Sequence, residues 1–179
     1  MEDVAWADAD SWYTMAVKTD GTLWAWGSNS YGQFGDGTNE GSHVPRQIME
    51  GVSRVYTDDQ CTLILKQDGT LWACGNYQDS EIYGPSQVME DVQEVWQDGS
   101  AFMATDSNGA LWKGSISGSP TLLVDGGVCF AAPGRYHNMA IQEDGTVWAW
   151  GDNSYGELGD GTTTDQPVPV NITESNPAL

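Results

Sequence analysis

An eight-residue motif returns four times along this chain, as Asp20–Gly27 (DGTLWAWG), Asp68–Gly75 (DGTLWACG), Asn108–Ser115 (NGALWKGS) and Asp144–Gly151 (DGTVWAWG). Successive copies start 48, 40 and 36 residues apart, and each follows an apolar run in the same phase. Self-similarity at a period of about 40–50 residues is the mark of propellers and repeat arrays. The Asp-Gly and Asn-Gly pairs predict two-residue type I′ hairpins, which need φ > 0 at both loop positions. In that register Val17 faces Trp24, Ala16 faces Ala25 and Met15 faces Trp26. One face is then bulky and the other small, because side chains alternate along a strand. The fourth copy repeats this, with Met139, Ile141, Trp148 and Trp150 on one side and Ala140 and Ala149 on the other. Neither face is polar, so the hairpin has to be covered on both. Stacking each copy on the next does so everywhere except at an open end, and radial blades meet that demand.

The expected fold is therefore all-β: a β-propeller of four four-stranded antiparallel blades, either a small closed ring or a partial ring completed by a second copy. The first repeat predicts strands over Val4–Ala7, Tyr13–Thr19, Thr22–Trp26 and Val44–Ile48, the last on an edge where Pro45 costs no ladder bond. A single domain over 1–179 is expected, with repeats at about 1–48, 49–88, 89–124 and 125–179. Met1–Asp10 is in phase with Met49–Asp58 and Met89–Asp98, and Pro169–Glu174 matches Pro45–Glu50. That match fits a ring joined through its first and last strands, or a piece of a longer array.

Lys and Arg total 6 against 26 Asp and Glu, a net charge of −20. This balance repels nucleic-acid phosphate and anionic membrane and attracts basic protein surfaces through a salt-sensitive field. Neither a bilayer-spanning apolar run nor a secretory leader is expected. In the predicted register Cys74 faces Leu63 rather than Cys61, so the three cysteines, Cys129 included, are expected as buried free thiols. His43 and His137 stand far apart and no Cys-x-x-Cys occurs, so neither metal nor cofactor is expected.

The paired tryptophans Trp24, Trp26, Trp72, Trp112, Trp148 and Trp150 fall at strand phase and are read as blade packing. Trp12 and Tyr136 instead fall just before an inner apolar run, where the other repeats place Gln60 and Ser100. Variation on a constant frame suits a binding surface, since loops carry function on rigid supports. That surface comprises Trp12, Gln60, Ser100 and Tyr136, with Asp10, Asp58 and Asp98 two residues earlier in their repeats. Tyr31 and Tyr155 form a second candidate set on the Gly-rich loops Ser28–Thr38 (SNSYGQFGDGT) and Asp152–Thr162 (DNSYGELGDGT), where Asn29 and Asn153 are read as turn formers.

The sequence of apolar strand, DGTLWAWG and SNSYGQFGDGT resembles the repeat of the regulator of chromosome condensation family. The first and fourth repeats match over nearly their full length, while the second and third depart in the glycine loop, with NYQDSEIYGP and SISGS. The resemblance implies a β-propeller, commonly of seven blades. It also implies a partner-gripping role for aromatic and acidic residues at the strand-start position of Trp12 and Tyr136, as in family members that are secreted inhibitors of β-lactamase. The founding member's guanine-nucleotide exchange is not carried over, because no insertion large enough for its exchange wedge is evident. The acidic balance equally opposes its chromatin contacts.

These readings favour a non-enzymatic module that binds a protein partner with a basic surface through one end of an acidic propeller. The alternatives are a carbohydrate-binding module and a self-assembling repeat module, including a homo-dimer that completes the ring. Acidic pairs such as Asp58 and Asp59 read as turn chemistry rather than as an acid and base, and no catalytic residue is expected.

Overall fold

The computed structural model describes residues 1–58, 60–77, 80–99, 101–116 and 118–175. The first repeat forms β1 (Val4–Ala9), β2 (Tyr13–Lys18), β3 (Leu23–Gly27) and β4 (Ser42–Met49). The second forms β5 (Val52–Asp58), β6 (Cys61–Lys66), β7 (Leu71–Tyr77) and β8 (Ser80–Met89). The third forms β9 (Val92–Asp98), β10 (Ala101–Asp106), β11 (Leu111–Ser115) and β12 (Gly118–Val124). The fourth forms β13 (Val128–Pro133), β14 (His137–Gln142), β15 (Val147–Gly151) and β16 (Gln166–Asn171), followed by the short helix α1 (Ile172–Ser175). Each repeat makes one sheet of four consecutive strands in sequence order, so no sheet borrows a strand from another repeat. Pro45 lies on the edge strand β4, at the irregularity between the pairs Ala25/Arg46 and Gly27/Ser42, where its missing N–H breaks no ladder bond.

The predicted hairpin register is off by one residue. Val17 pairs with Leu23, Ala16 with Trp24 and Met15 with Ala25, which leaves a three-residue loop. The Gly21 N–H donates to the Lys18 carbonyl, and the Lys18 N–H to the Thr22 carbonyl, each at 2.9 Å. Only the glycine takes positive φ: +82° at Gly21, +80° at Gly69, +72° at Gly109 and +87° at Gly145. Asp20, Asp68, Asn108 and Asp144 do not, which excludes a type I′ turn and leaves the type I turn closed by a left-handed glycine. In the aspartate copies the side chain braces this form. Asp20 Oδ1 accepts the Thr22 N–H at 3.0 Å and the Thr22 hydroxyl at 2.7 Å, and Asp68 does the same with Thr70 at 3.0 and 2.6 Å.

A one-residue slip exchanges every side chain between faces. Met15, Val17, Leu23 and Ala25 therefore share one face, and Thr14, Ala16, Trp24 and Trp26 the other. Each face pairs a large residue with a small one, instead of one face being bulky and the other small. The fourth repeat follows suit, with Met139 opposite Ala149 and Ala140 opposite Trp148. Cys74 faces Thr62, not Leu63. None of the three cysteines forms a disulfide; Cys61 and Cys74 are buried but Cys129, expected inside, is exposed.

The described chain divides into two compact units. The first comprises Met1–Val92 with Gly99–Ala101 and Ser115–Pro120, and the second Gln93–Asp98, Phe102–Gly114 and Thr121–Leu179. In the first unit the Met15 face of repeat 1 packs against Val55, Ile64 and Cys74 of repeat 2, with Phe34 from the glycine loop closing the cluster. In the second, Met103 and Leu111 of repeat 3 pack against Ala131, Ala140 and Trp150 of repeat 4.

Of the paired tryptophans Trp150 is fully buried, while Trp24, Trp26, Trp72, Trp112 and Trp148 are half-buried, so the sealed core is mostly aliphatic. Four of them have the polar end satisfied, as a half-buried indole requires. Trp24 Nε1 donates to Thr22 Oγ1 at 2.9 Å and Trp72 Nε1 to Thr70 Oγ1 at 2.7 Å. Trp112 donates to Asp106 and Trp148 to Gln142 instead. The equivalents of those two acceptors are Lys18 and Lys66, whose ammonium groups lie 5.6 and 4.2 Å from the Trp24 and Trp72 ring centres.

Candidate functional site

Three glycines place the strand-start residues. Gly27, Gly75 and Gly151 end β3, β7 and β15 with φ of +105°, +107° and +116°. A Cβ on them would lie 2.5 Å from the Trp12 carbonyl oxygen, 2.1 Å from that of Gln60 and 2.4 Å from that of Tyr136. The next N–H then donates to the same carbonyl, Ser28 to Trp12, Asn76 to Gln60 and Asp152 to Tyr136, each at 2.9 Å. The backbone at each strand start is thus clamped, while the Gln60 amide accepts the Asn76 side chain at 3.1 Å and the two aromatic rings stay exposed. Trp12 is 70 % exposed and Tyr136 65 %.

In the first compact unit Trp12, Gln60 and Tyr31 come together. With Ser28, Ser30 and Gln33 they line a cleft of about 320 Å³. Residues of the two candidate sets, strand starts and glycine loop, here line one cleft. Its floor is rigid. Asn29, fully buried, receives the Phe34 N–H on Oδ1 at 2.9 Å and donates through Nδ2 to the Thr38 and Glu40 carbonyls at 3.1 and 3.3 Å. Gln33 Oε1 accepts the Tyr31 N–H at 3.0 Å, which orients the tyrosine. Thr62 donates its hydroxyl to the Gln33 carbonyl at 2.8 Å, and the buried Tyr13 hydroxyl reaches the Cys61 carbonyl at 2.7 Å. Burial pushes the Tyr13 hydroxyl and the Cys74 thiol far up, so both stay protonated.

The acidic candidates separate. Asp58 Oδ2 accepts the Gly99 N–H at 2.9 Å and so braces backbone. Asp10 is half-buried and takes the Ser11 hydroxyl at 3.3 Å, whereas Asp98 is exposed. Ser100 lies outside the described residues. In the second compact unit Tyr136 lies 5.4 Å from the Arg135 guanidinium, and Tyr155 is 93 % exposed on its loop. Asn153, fully buried, repeats the Asn29 staple, so both asparagines are structural. Sequence reasoning missed Ser28, Ser30 and Gln33. The usable signal was that loop position 33 holds Gln where its counterpart Glu157 holds an acid, and both side chains accept the N–H of the loop tyrosine.

No lining residue of the cleft is a carboxylate, histidine, lysine or cysteine. Among the described residues no group of three or more His, Cys, Asp or Glu is placed to hold a metal ion, and no helix is long and apolar enough to cross a membrane.

The Regulator of chromosome condensation (RCC1) repeat profile matches residues 20–59 and 144–178, and a second profile of that repeat matches 128–157. Together they cover half of the chain. The chain belongs to the RCC1 repeat family. Its RCC1-type β-propeller fold is shared with human WBSCR16, at a TM-score of 0.71 and 20 % identity over 95 % of this chain and 53 % of that one. It is shared also with Prp20p from Saccharomyces cerevisiae, at a TM-score of 0.68 and 19 % identity over 92 % and 49 %. Among curated relatives, the human E3 ubiquitin-protein ligase HERC2 is 28 % identical over 173 residues, which is 90 % of this chain and 3 % of HERC2. The chain thus spans about half the length of these solved RCC1-type relatives and a small part of HERC2.

Proposed function

We propose that this RCC1-type chain is a non-enzymatic interaction module that holds a partner protein with a basic surface. The contact is made through the cleft of Trp12, Tyr31 and Gln60, with the buried Gln33 beneath them and Asp10 as a further contact position; Tyr136, Tyr155 and Asp98 are contact positions of the second compact unit, taken by itself. The carrying observation is the convergence of two exposed aromatics and the Gln60 amide on a clamped backbone, over the buried Gln33. Rigid aromatic anchors dominate protein interfaces. Charge supports a basic partner. Five of the six cations, Lys18, Arg46, Arg54, Lys66 and Arg135, lie over aromatic rings. The one ion pair among the described residues joins Arg46 to Asp36. Most of the 26 carboxylates therefore project an uncompensated field. Relatives lend support: Prp20p has binding properties to Gsp1p and histones, and yeast RCC1 (Prp20) was crystallised bound to Kap60. A cleft lined without carboxylate, histidine, lysine or cysteine suits binding better than catalysis.

The test is capture on immobilised wild type and on the Trp12→Ala, Tyr31→Ala double variant. A partner held by the cleft is lost from the variant, with affinity at least about 30-fold weaker, the effect of removing a hot spot of roughly 2 kcal/mol. Its binding also weakens as salt is added. Identical capture by both proteins overturns the proposal. A second reading, carbohydrate binding, is favoured by the same stacking rings beside amides and hydroxyls. A glycan array in which signal depends on Trp12 would select it over the protein partner.

A further inference from the structure

The chain's own cations set a pattern for its aromatic rings. All three of its arginines lie over one: Arg46 is 5.9 Å from the centre of the Phe34 ring, Arg54 5.1 Å from that of Trp6 and Arg135 5.4 Å from that of Tyr136. The rings of Trp12 and Tyr31, which line one cleft of the first compact unit, are 70 and 37 % exposed. Among the described residues no cation lies over either. A guanidinium plane stacks on such ring faces and is attracted by their π-electrons.

The polar part of the cleft offers neutral acceptors. The Ser28 and Ser30 hydroxyls stand 3.3 Å apart and share one hydrogen bond, so each keeps a lone pair to spare. Both strand-start segments that line the cleft also carry an acceptor left over. Asp10 closes the turn around Trp12, its N–H donating to the Tyr13 carbonyl at 3.1 Å, and its Oδ2 is buried without a partner among the described residues. Asn76 donates to Gln60 Oε1 at 3.1 Å, while its own Oδ1 is likewise buried without a partner among the described residues. Unpaired buried acceptors favour positive charge and N–H donors beside them. No lining residue is a carboxylate, so nothing in the cleft wall would pin a compact, strongly hydrated ammonium. Five N–H donors on a weakly hydrated plane suit neutral oxygens and ring faces instead.

We infer that the cleft is a receptor for an arginine side chain of the partner, with the Trp12 and Tyr31 rings taking the face of the guanidinium and the Ser28, Ser30 and Gln60 oxygens its N–H groups. The inference rests on the contact reading above and names the chemistry of what the cleft holds. The −20 charge draws a cation in, and so does Asp10, two residues before Trp12. Lysine is the weaker occupant, because the lining offers its point charge no carboxylate. Tyr136, in the second compact unit, is an internal control, since Arg135 already lies over its ring.

The experiment titrates isotope-labelled protein with N-acetyl-arginine amide, N-acetyl-lysine amide and N-acetyl-citrulline amide, reading the indole N–H signals by NMR. The signal that Trp12→Ala removes shifts saturably with the arginine probe, at least about fivefold tighter than with the lysine probe. Citrulline, which keeps the shape without the charge, barely moves it. Tyr31→Ala weakens the arginine response by about fivefold and Tyr136→Ala leaves it unchanged, with the fold of both checked by far-UV circular dichroism. No saturable shift, equal response to arginine and lysine, or an unchanged response in Tyr31→Ala would each overturn the inference. A partner captured through Trp12 and Tyr31 while the arginine probe is silent leaves the contact reading standing and ends this one. An arginine response in the cleft, with partner capture indifferent to Trp12 and Tyr31, does the reverse.

Discussion

At the scale of single residues, the glycines that end β3, β7 and β15 combine two demands, a left-handed φ and room for a facing carbonyl. Gly51 carries only the first: its φ is +74° and a Cβ there would meet nothing within 4 Å. Gly27→Ala is therefore expected to cost about 3–5 kcal/mol, the strain of a non-glycine residue at positive φ plus displacement of the Trp12 backbone. Gly51→Ala should cost about 1–2 kcal/mol. Urea unfolding of the two variants checks this, and equal losses would show that the clamp contributes nothing. The Asp-Gly pairs announce their turns in the sequence, whereas the partner of Gly27 is 15 residues upstream and becomes visible only when β2 and β3 are paired.

The hairpin is the element where sequence reading went furthest and then slipped. Its existence, its four copies and its apolar faces were all legible, but its register was not. Asn-Gly and Asp-Gly fit both two- and three-residue loops; in the three Asp copies the Asp side chain grips the threonine two residues on, and in the Asn108 copy Asp106 accepts the Asn108 and Ala110 N–H groups instead. That grip carries a pH signature. Hydrogen bonds from the Thr22 hydroxyl and then its N–H hold the Asp20 carboxyl below the usual carboxylate range. Thr70 does the same for Asp68, and for Asp144 the Thr146 N–H is the larger cause. A carboxyl lowered by folding contributes stability above its unfolded value, about 3.9, and loses it as pH falls through the lowered folded value. Stability should accordingly fall below about pH 4. Replacing Asp20, Asp68 and Asp144 together by Asn should flatten that fall, as read from urea midpoints across the acid range. An unchanged slope would show that the turns are not its source.

For the whole molecule the governing quantity is a charge of −20 with nearly every cation held over a ring. Self-repulsion of this kind destabilises the compact state and is screened by salt. The thermal midpoint at fixed low protein concentration should rise from low to physiological ionic strength, by about 2–4 °C for each kcal/mol of repulsion removed. A midpoint independent of salt would mean that the carboxylates are too dispersed to repel, and would weaken the case for steering a basic partner.

Period, turn chemistry and apolar alternation are local, so the bare sequence already carried the four-fold repeat, the all-β class, the edge strand at Pro45 and the exposed aromatics at strand starts. Which face each side chain takes depends on cross-strand register, and the loop that goes with it is braced by side-chain hydrogen bonds. The cleft needed still more. Trp12, Tyr31 and Gln60 are neighbours because a glycine loop of one repeat packs over the hairpin of the next, a contact between segments nearly thirty residues apart that no local pattern encodes.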